Sequence, residues 1–379
     1  MVNDGSDGSG RNRLRFGIAG CGGIGPTHVA ALGQIAAADV VAVADPIADR
    51  AAKVEKQFGV EKVYGDIAEL LADSNVDAVC ICTPSGMHGD HAVAAMEAGK
   101  HVVVEKPMEV TLEACDRMLA AQRATGRTMA VISQHRFDPA TIEVRRMIDS
   151  GLLGKLVLVT ADVKWWRTQG YYDEGDWRGT FALDGGGAVM NQGIHTVDLL
   201  LHLAGDVSTV SALVATAAHE RIEVEDAAAA TIRFKSGAVG SFVASTAAFD
   251  GLPVRIDLFG TEGACSIEGD RLAWTKFKSG GGKTGDAPAS HAVGVASGGT
   301  AGVTASTDAL AWGDSHRAQL ADFIDAVRTG RPPGVDGIAG RAAVRLVRAI
   351  YAAAAGGVTV SVEAGAGAVV SGVESVVSG

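Results

Sequence analysis

The segment Gly20-Cys-Gly22-Gly23-Ile24-Gly25 limits the fold more than any other feature of the chain. It directly follows the apolar run Arg15-Phe-Gly-Ile-Ala19 and opens a helical pattern from Thr27 to Ala37. A G-x-G-x-x-G turn in that context gives each glycine its own task. Gly20 permits the tight turn and Gly22 lets backbone approach a pyrophosphate. Gly25 lets helix and strand pack closely, and the helix N-terminus offers unpaired N–H groups and the positive end of its dipole. Asp45 ends the next β-branched run, Val40-Val-Ala-Val-Ala44. A carboxylate there accepts the ribose hydroxyls of NAD and repels the extra phosphate of NADP. No arginine adjoins Asp45, Arg50 being a helical turn away. The pattern therefore predicts NAD(H) in preference to NADP(H).

Further apolar runs follow at Ala78–Cys82, His101–Val104 and Met129–Ile132, with helical patterns at 48–58, 88–98 and 112–125 between them. Continuously apolar strands separated by helices indicate a parallel sheet covered on both faces, and right-handed crossovers make it doubly wound. Beyond about residue 150 the strand-like runs 156–160, 207–214, 228–234, 238–245 and 254–259 often alternate with polar residues. That texture predicts a mostly antiparallel sheet with one face in need of a cover, for which a second copy of the chain is a common solution. The expected architecture is α/β: an N-terminal Rossmann doubly wound parallel sheet over 14–134, then a C-terminal α+β domain with an open, mostly antiparallel sheet over 135–356. Helices at 316–329 and 338–353 are expected to pack back on the first domain. Residues 1–13 and 357–379 read as flexible or peripheral tails, and the Gly/Ser-rich stretch 279–306 as a mobile insertion.

With 379 residues, 47% of them hydrophobic, the chain can bury the cores of two domains. Its net charge of -11 argues against a nucleic-acid groove, which needs clustered Lys and Arg. No leader pattern and no long apolar span stands out, so a cytoplasmic protein is expected. The five cysteines fit neither a zinc ribbon nor a disulfide framework and read as reduced core thiols.

Three segments fall where a doubly wound sheet presents residues to its ligand crevice, past the carboxyl ends of strands. They are Glu105-Lys106-Pro107, Gln134-His135-Arg136-Phe137, and the run from Gly185 through Asn191 and His195 to Asp198. A lysine at a strand end can hydrogen-bond a substrate oxygen, and burial shifts its pKa readily. Together with the glycine turn, these segments resemble the glucose–fructose oxidoreductase and inositol dehydrogenase family (Gfo/Idh/MocA) over about residues 14–356. The resemblance implies an oxidoreductase acting on a hydroxyl or ketone carbon of a sugar, glycoside or inositol. It implies catalytic roles for Lys106 and His195, with Asn191 as the third catalytic candidate. It also implies a cofactor set of Gly20, Gly22, Gly23, Ile24, Gly25, Asp45, Thr83, Pro84, His88, Glu105, Lys106 and Gln134.

The chain departs from many relatives at Asn191, where they carry Asp. Asn191 and His195 are four apart and share a helical face, so both can address substrate, but an amide cannot take up a proton. On the substrate side, Lys106, Arg136, Trp177, Arg178, Asn191, His195, Tyr172 and His316 are the candidates. Aromatic faces stack on sugar rings, and arginine binds a carboxylate or phosphate bidentately. His195, Asp198 and His202 share a helical face that mimics a metal set, but no further ligand supports it and no metal is expected. Two alternatives stay open: a nucleotide-sugar dehydrogenase, and a non-redox glycoside-processing enzyme with tightly bound NAD. The expected partners are a small sugar-like molecule and further copies of the chain, as a homodimer or homotetramer, with no nucleic acid and no membrane.

Overall fold

The computed structural model describes residues 13–281 and 313–362. Six parallel strands form the first sheet: β1 (Leu14–Ala19), β2 (Ala38–Ala44), β3 (Lys62–Tyr64), β4 (Ala78–Ile81), β5 (His101–Val104) and β6 (Met129–Val131). Their order, β3-β2-β1-β4-β5-β6, is the doubly wound arrangement, with the direction of winding reversing between β1 and β4. All four residues of β4 are buried, as are Val102, Val103 and Val104 of β5, as expected of a sheet covered on both faces. Each fully buried Val or Ile contributes about 1.5–3 kcal/mol.

The crossovers carry α1 (Gly25–Gly33), α2 (Ala48–Phe58), α3 (Ile67–Ala72), α4 (His88–Glu97) and α5 (Leu112–Thr125). Local chemistry sets their limits. Thr111 caps α5 by accepting from Ala114 N, and Gly126, with φ of 66°, ends it in the left-handed conformation. The helix read from Thr27 to Ala37 is shorter, because the chain leaves it after Gly33 to enter β2.

After α6 (Pro139–Asp149) the chain builds a second sheet: β7 (Leu156–Lys164), β8 (Val207–Ala215), β9 (Ala227–Phe234), β10 (Val239–Ser245), β11 (Arg255–Gly260), β12 (Gly263–Glu268), β13 (Arg271–Phe277) and β14 (Val360–Ser361). The order is β13-β12-β11-β7-β10-β9-β8-β14, and every pairing is antiparallel except β7 with β10. Strands β12 and β13 had no counterpart in the sequence reading; their run mixes Gly, Ser and charged residues and lacks a clean alternation. In β9 Ala228, Ala230, Ile232 and Phe234 are buried while Ala229, Thr231 and Arg233 are exposed, so one face carries the core.

The remaining helices are α7 (Gln169–Asp173), α8 (Ile194–Ala204), α9 (Gly313–Thr329) and α10 (Gly337–Gly356). Helices α8 and α10 cover the core face of the second sheet. Helix α9 packs on the first sheet, where Phe323 meets Phe16 at 6.1 Å between ring centroids. Gln319 of α9 receives Ser133 N (3.0 Å) and donates to Val131 O (2.8 Å), which fixes the chain just past β6. Most of the stretch read as an insertion lies outside the described residues. Among the described residues no helix is long and apolar enough to cross a membrane. All five cysteines are buried and unpaired, and burial pushes their thiols up, to about 12 at Cys21 and Cys265.

Candidate active site

The glycine turn lies at the carboxyl end of β1, beside the point where the winding reverses. Gly20 has φ of 98°, and a Cβ at Gly25 would stand 2.2 Å from Gly20 O. Only glycine fits these two positions. Gly22 and Gly23 differ: a Cβ there would meet nothing within 4 Å, so their backbone faces open space. Asp45 holds the turn from β2, accepting from Cys21 N and Ile47 N, each at 2.8 Å. Each carboxylate oxygen keeps a second lone pair. The open backbone, the helix N-terminus and this carboxylate fit a dinucleotide.

Past β4, Thr83 Oγ1 pairs with His91 Nδ1 at 3.0 Å, and Pro84 leads into a single helical turn. His88 is fully engaged by backbone, Nδ1 with Pro107 O (2.8 Å) and Nε2 with Thr83 O (2.9 Å). Expected as a cofactor ligand, it is placed as a brace between the ends of β4 and β5.

Past β5, Glu105 is buried against two imidazoles: His28 Nε2 lies 2.7 Å and His316 Nε2 3.8 Å from its Oε1. Hydrogen bonds and charge from these rings hold the Glu105 carboxyl well below its ordinary range, against the opposing effect of burial. His316, expected at the substrate end of the cleft, therefore sits on the side of the glycine-turn helix. Ligating atoms of His28, Glu105 and His316 lie within 4.8 Å of one another, unlike the His195, Asp198 and His202 set weighed from sequence. Asp198 is committed elsewhere. Arg136 donates to it through Nε (2.7 Å) and Nη2 (2.6 Å), and Ser133 Oγ donates to it too. Arg136, expected on the substrate side, has its Nε and Nη2 tied to this carboxylate of α8. Gln134 is buried past β6, its Oε1 without a partner among the described residues.

Lys106 points from the end of β5 to the segment before α8. Its Nζ donates to Asn191 O (2.7 Å) and Asn191 Oδ1 (3.1 Å). Burial lowers the Lys106 pKa, with the charges of Arg178 and Arg167 acting in the same direction and Glu105 and Asp184 opposing. Asn191 lies in a π-helical turn, Ala188–Gln192, anchored by the buried Glu225. Glu225 accepts from Gly187 N (3.1 Å), Val189 N (2.8 Å) and Tyr351 Oη (2.9 Å). The amide of Asn191 donates to Asp184, which also accepts from Gly179 N at 2.9 Å. Burial raises the Asp184 pKa to about 6. The carboxylate missing at 191 thus stands one hydrogen bond further out, at a residue the sequence reading passed over. The only signal for it was its place immediately before the glycine run.

His195 opens α8 with its ring edge against His135, 5.2 Å between centroids, and its Nδ1 has no partner among the described residues. Burial first, then His135 and Lys106, holds its pKa well below the usual value, so the imidazole is neutral near pH 7. Lys106, Ser133, Ile194, His195 and Asp198 line one small cavity where the ends of β5 and β6 meet α8 and α10.

The aromatic loop reaches the same place. Gln192 Nε2 donates to Tyr171 Oη (2.8 Å), which also accepts from Arg178 Nη1 (2.7 Å), while Arg167 Nη2 donates to Gln192 Oε1 (2.9 Å). Arg178 stacks on Tyr171 and Trp177, its Cζ 4.4 and 4.6 Å from the ring centroids. Tyr172, expected at the pocket, is instead 5% exposed with its hydroxyl on Thr246 Oγ1 (2.8 Å). On the short helix α7 adjacent residues face different ways, and Tyr171 is the one in the network.

A dinucleotide turn on a doubly wound sheet, joined through lysine and histidine to a second sheet, defines a nicotinamide-dependent dehydrogenase acting on CH–OH groups. Residues 14–133 match the model of the oxidoreductase family with an NAD-binding Rossmann fold, and residues 141–266 match the GFO/IDH/MocA C-terminal domain. The chain belongs to the Gfo/Idh/MocA family. It is 32% identical over 261 residues to scyllo-inositol 2-dehydrogenase (NAD(+)) of Bacillus subtilis, covering 68% of this chain and 74% of that protein. The WlbA dehydrogenase of Bordetella pertussis, solved with NADH and UDP-GlcNAcA, superposes with a TM-score of 0.80 at 32% identity, covering 93% of this chain and 99% of that one. A levoglucosan dehydrogenase solved with NADH and levoglucosan gives a TM-score of 0.82 at 25% identity, covering 93% and 100%.

Proposed function

We propose that this dehydrogenase transfers hydride between NAD(H) and a hydroxyl-bearing or ketone carbon of a sugar, glycoside or inositol, with Lys106 and His195 handling the oxygen and its proton. The observation that carries this reading is that Lys106, whose Nζ makes two bonds to Asn191, and His195 line one small cavity past the carboxyl ends of β5 and β6. When bound, the nicotinamide supplies the hydride acceptor or donor. Gly22, Gly23 and the N-terminus of α1 would hold its pyrophosphate, and Asp45 its ribose hydroxyls.

Two of the three Lys106 ammonium protons are taken by Asn191, which leaves the third for the substrate oxygen. A cation there stabilises negative charge developing on that oxygen as hydride departs. The neutral imidazole of His195 accepts the hydroxyl proton, a contribution of about 10²–10⁴ in rate. In reduction the same groups act in reverse. Asp184 holds the Asn191 amide so that its oxygen, not its nitrogen, faces Lys106. The face of the second sheet away from α8 and α10 would pair with another copy of the chain, giving a homodimer or homotetramer.

The similarity to a dehydrogenase solved with a nucleotide sugar favours a second reading, in which the ring being oxidised carries a nucleotide. Fluorescence titration with NADH and with NADPH tests the cofactor half of the proposal. Tighter binding of NADH is expected; equal or tighter binding of NADPH overturns the role given to Asp45.

A further inference from the structure

The chain as a whole is acidic, with a net charge of -11, yet the surroundings of Lys106 hold two arginines. Lys106, Arg167 and Arg178 act on one another's neighbourhood strongly enough that both arginines depress the lysine. Asp184 is the carboxylate facing this group, and it spends its oxygens on Gly179 N and Asn191. Burial raises its pKa to about 6 against Lys106 and Arg178, so at neutral pH it is one negative charge beside three cations. Glu105, the next carboxylate, is bound to its own imidazoles.

Arg178 is half-buried and stacked against two aromatic rings, which hold the guanidinium in place and leave its remaining N–H groups accessible. Of its five N–H donors, one goes to Tyr171 Oη. Among the described residues, Nε and Nη2 of Arg178 have no acceptor and no carboxylate pairs with it. A neutral polyol needs one donor or acceptor per hydroxyl and gains little from a local excess of positive charge. A planar oxyanion uses two parallel N–H groups of one guanidinium at once.

We propose that the substrate is anionic, a sugar bearing a carboxylate or a phosphate, and that Arg178 binds that group while the ring lies against Tyr171 and Trp177. The inference rests on the hydride-transfer reading of the same site and names the class of molecule it takes. Arg167, held by Gln192 and stacked on Trp165 at 5.1 Å, adds to the attraction without being the anchor. The grouped cations Lys106, Arg167 and Arg178 also draw anions to an otherwise acidic protein, an effect that salt screens.

The test is calorimetric titration of the NADH-loaded protein with glucose, glucuronate and glucose 1-phosphate, repeated with Arg178→Gln and Arg178→Lys. At least one anionic probe is expected to bind about 10- to 100-fold more tightly than glucose, the worth of a charged hydrogen-bonded pair. That preference should vanish in Arg178→Gln, persist in part in Arg178→Lys, and shrink at high salt. Which anion wins distinguishes a carboxylate from a phosphate. Glucose bound as tightly as both anions, no anion bound at all, or a preference that survives Arg178→Gln overturns the proposal. Thermal melts confirm that the variants fold. Failure to bind NADH in the first place would instead strike the dehydrogenase reading beneath it.

Discussion

A methyl group added at Gly22 separates the two jobs of the glycine turn, holding the fold and admitting the cofactor. The position has open space around the missing Cβ, with no atom within 4 Å, and it is not among the glycines with positive φ. Alanine there should change unfolding free energy by no more than about 0.5 kcal/mol. The methyl does project where backbone N–H must approach a pyrophosphate. Loss of one hydrogen bond to a charged group costs about 1.5–3 kcal/mol, a rise in the NADH dissociation constant of about 10- to 150-fold. Gly25→Ala is the internal contrast, because its Cβ would stand 2.2 Å from the backbone oxygen of Gly20, which cannot swing away. That overpacking should cost about 1–3 kcal/mol of stability or more. Thermal melts and NADH fluorescence titrations on both variants make the comparison. Wild-type affinity in a folded Gly22→Ala protein, or a Gly22→Ala melt as low as that of Gly25→Ala, would refute the assignment of pyrophosphate to this turn.

Arg136→Ala should act on stability more than on substrate. It leaves the carboxylate of Asp198 buried and unpaired, a loss of about 3–5 kcal/mol seen as a lower unfolding midpoint in urea. Asp184 predicts a pH effect whose sign follows from its raised pKa of about 6. As pH falls through that value the carboxylate takes up a proton, its hold on Asn191 weakens, and turnover should fall. Because His195 is held well below its ordinary value, it should not add a second limb near pH 6.5. An Asp184→Asn enzyme should lose the limb near pH 6 while binding NADH normally; an unchanged limb would assign it to another group.

Contiguous features of the site were readable from the chain. The glycine turn, Asp45, and the residues past β5 are set by neighbours a few positions away and by the rule that strand ends face the crevice. What depended on folding back was not readable. Arg136 and Asp198 meet across 62 positions, and nothing local marks them as partners. Asp184 reaches Asn191 only because a π-helical turn, held by Glu225 from the second sheet, returns the chain over it. The choice between Tyr171 and Tyr172 turned on the orientation of a five-residue helix that sequence periodicity is too short to define. Strand β3 has three residues and was missed for the same reason, while α6, with Pro139 at its start, was simply passed over.

Lys106 is proposed above all to work on the reacting oxygen. Turnover of Lys106→Met, read as NADH formation at 340 nm with NAD+ and the best substrate from a panel of sugars, sugar acids and inositols, tests it most directly. NADH affinity within about twofold of wild type and a turnover lower by about 10²-fold or more are expected. Full turnover in the Lys106→Met protein would contradict it.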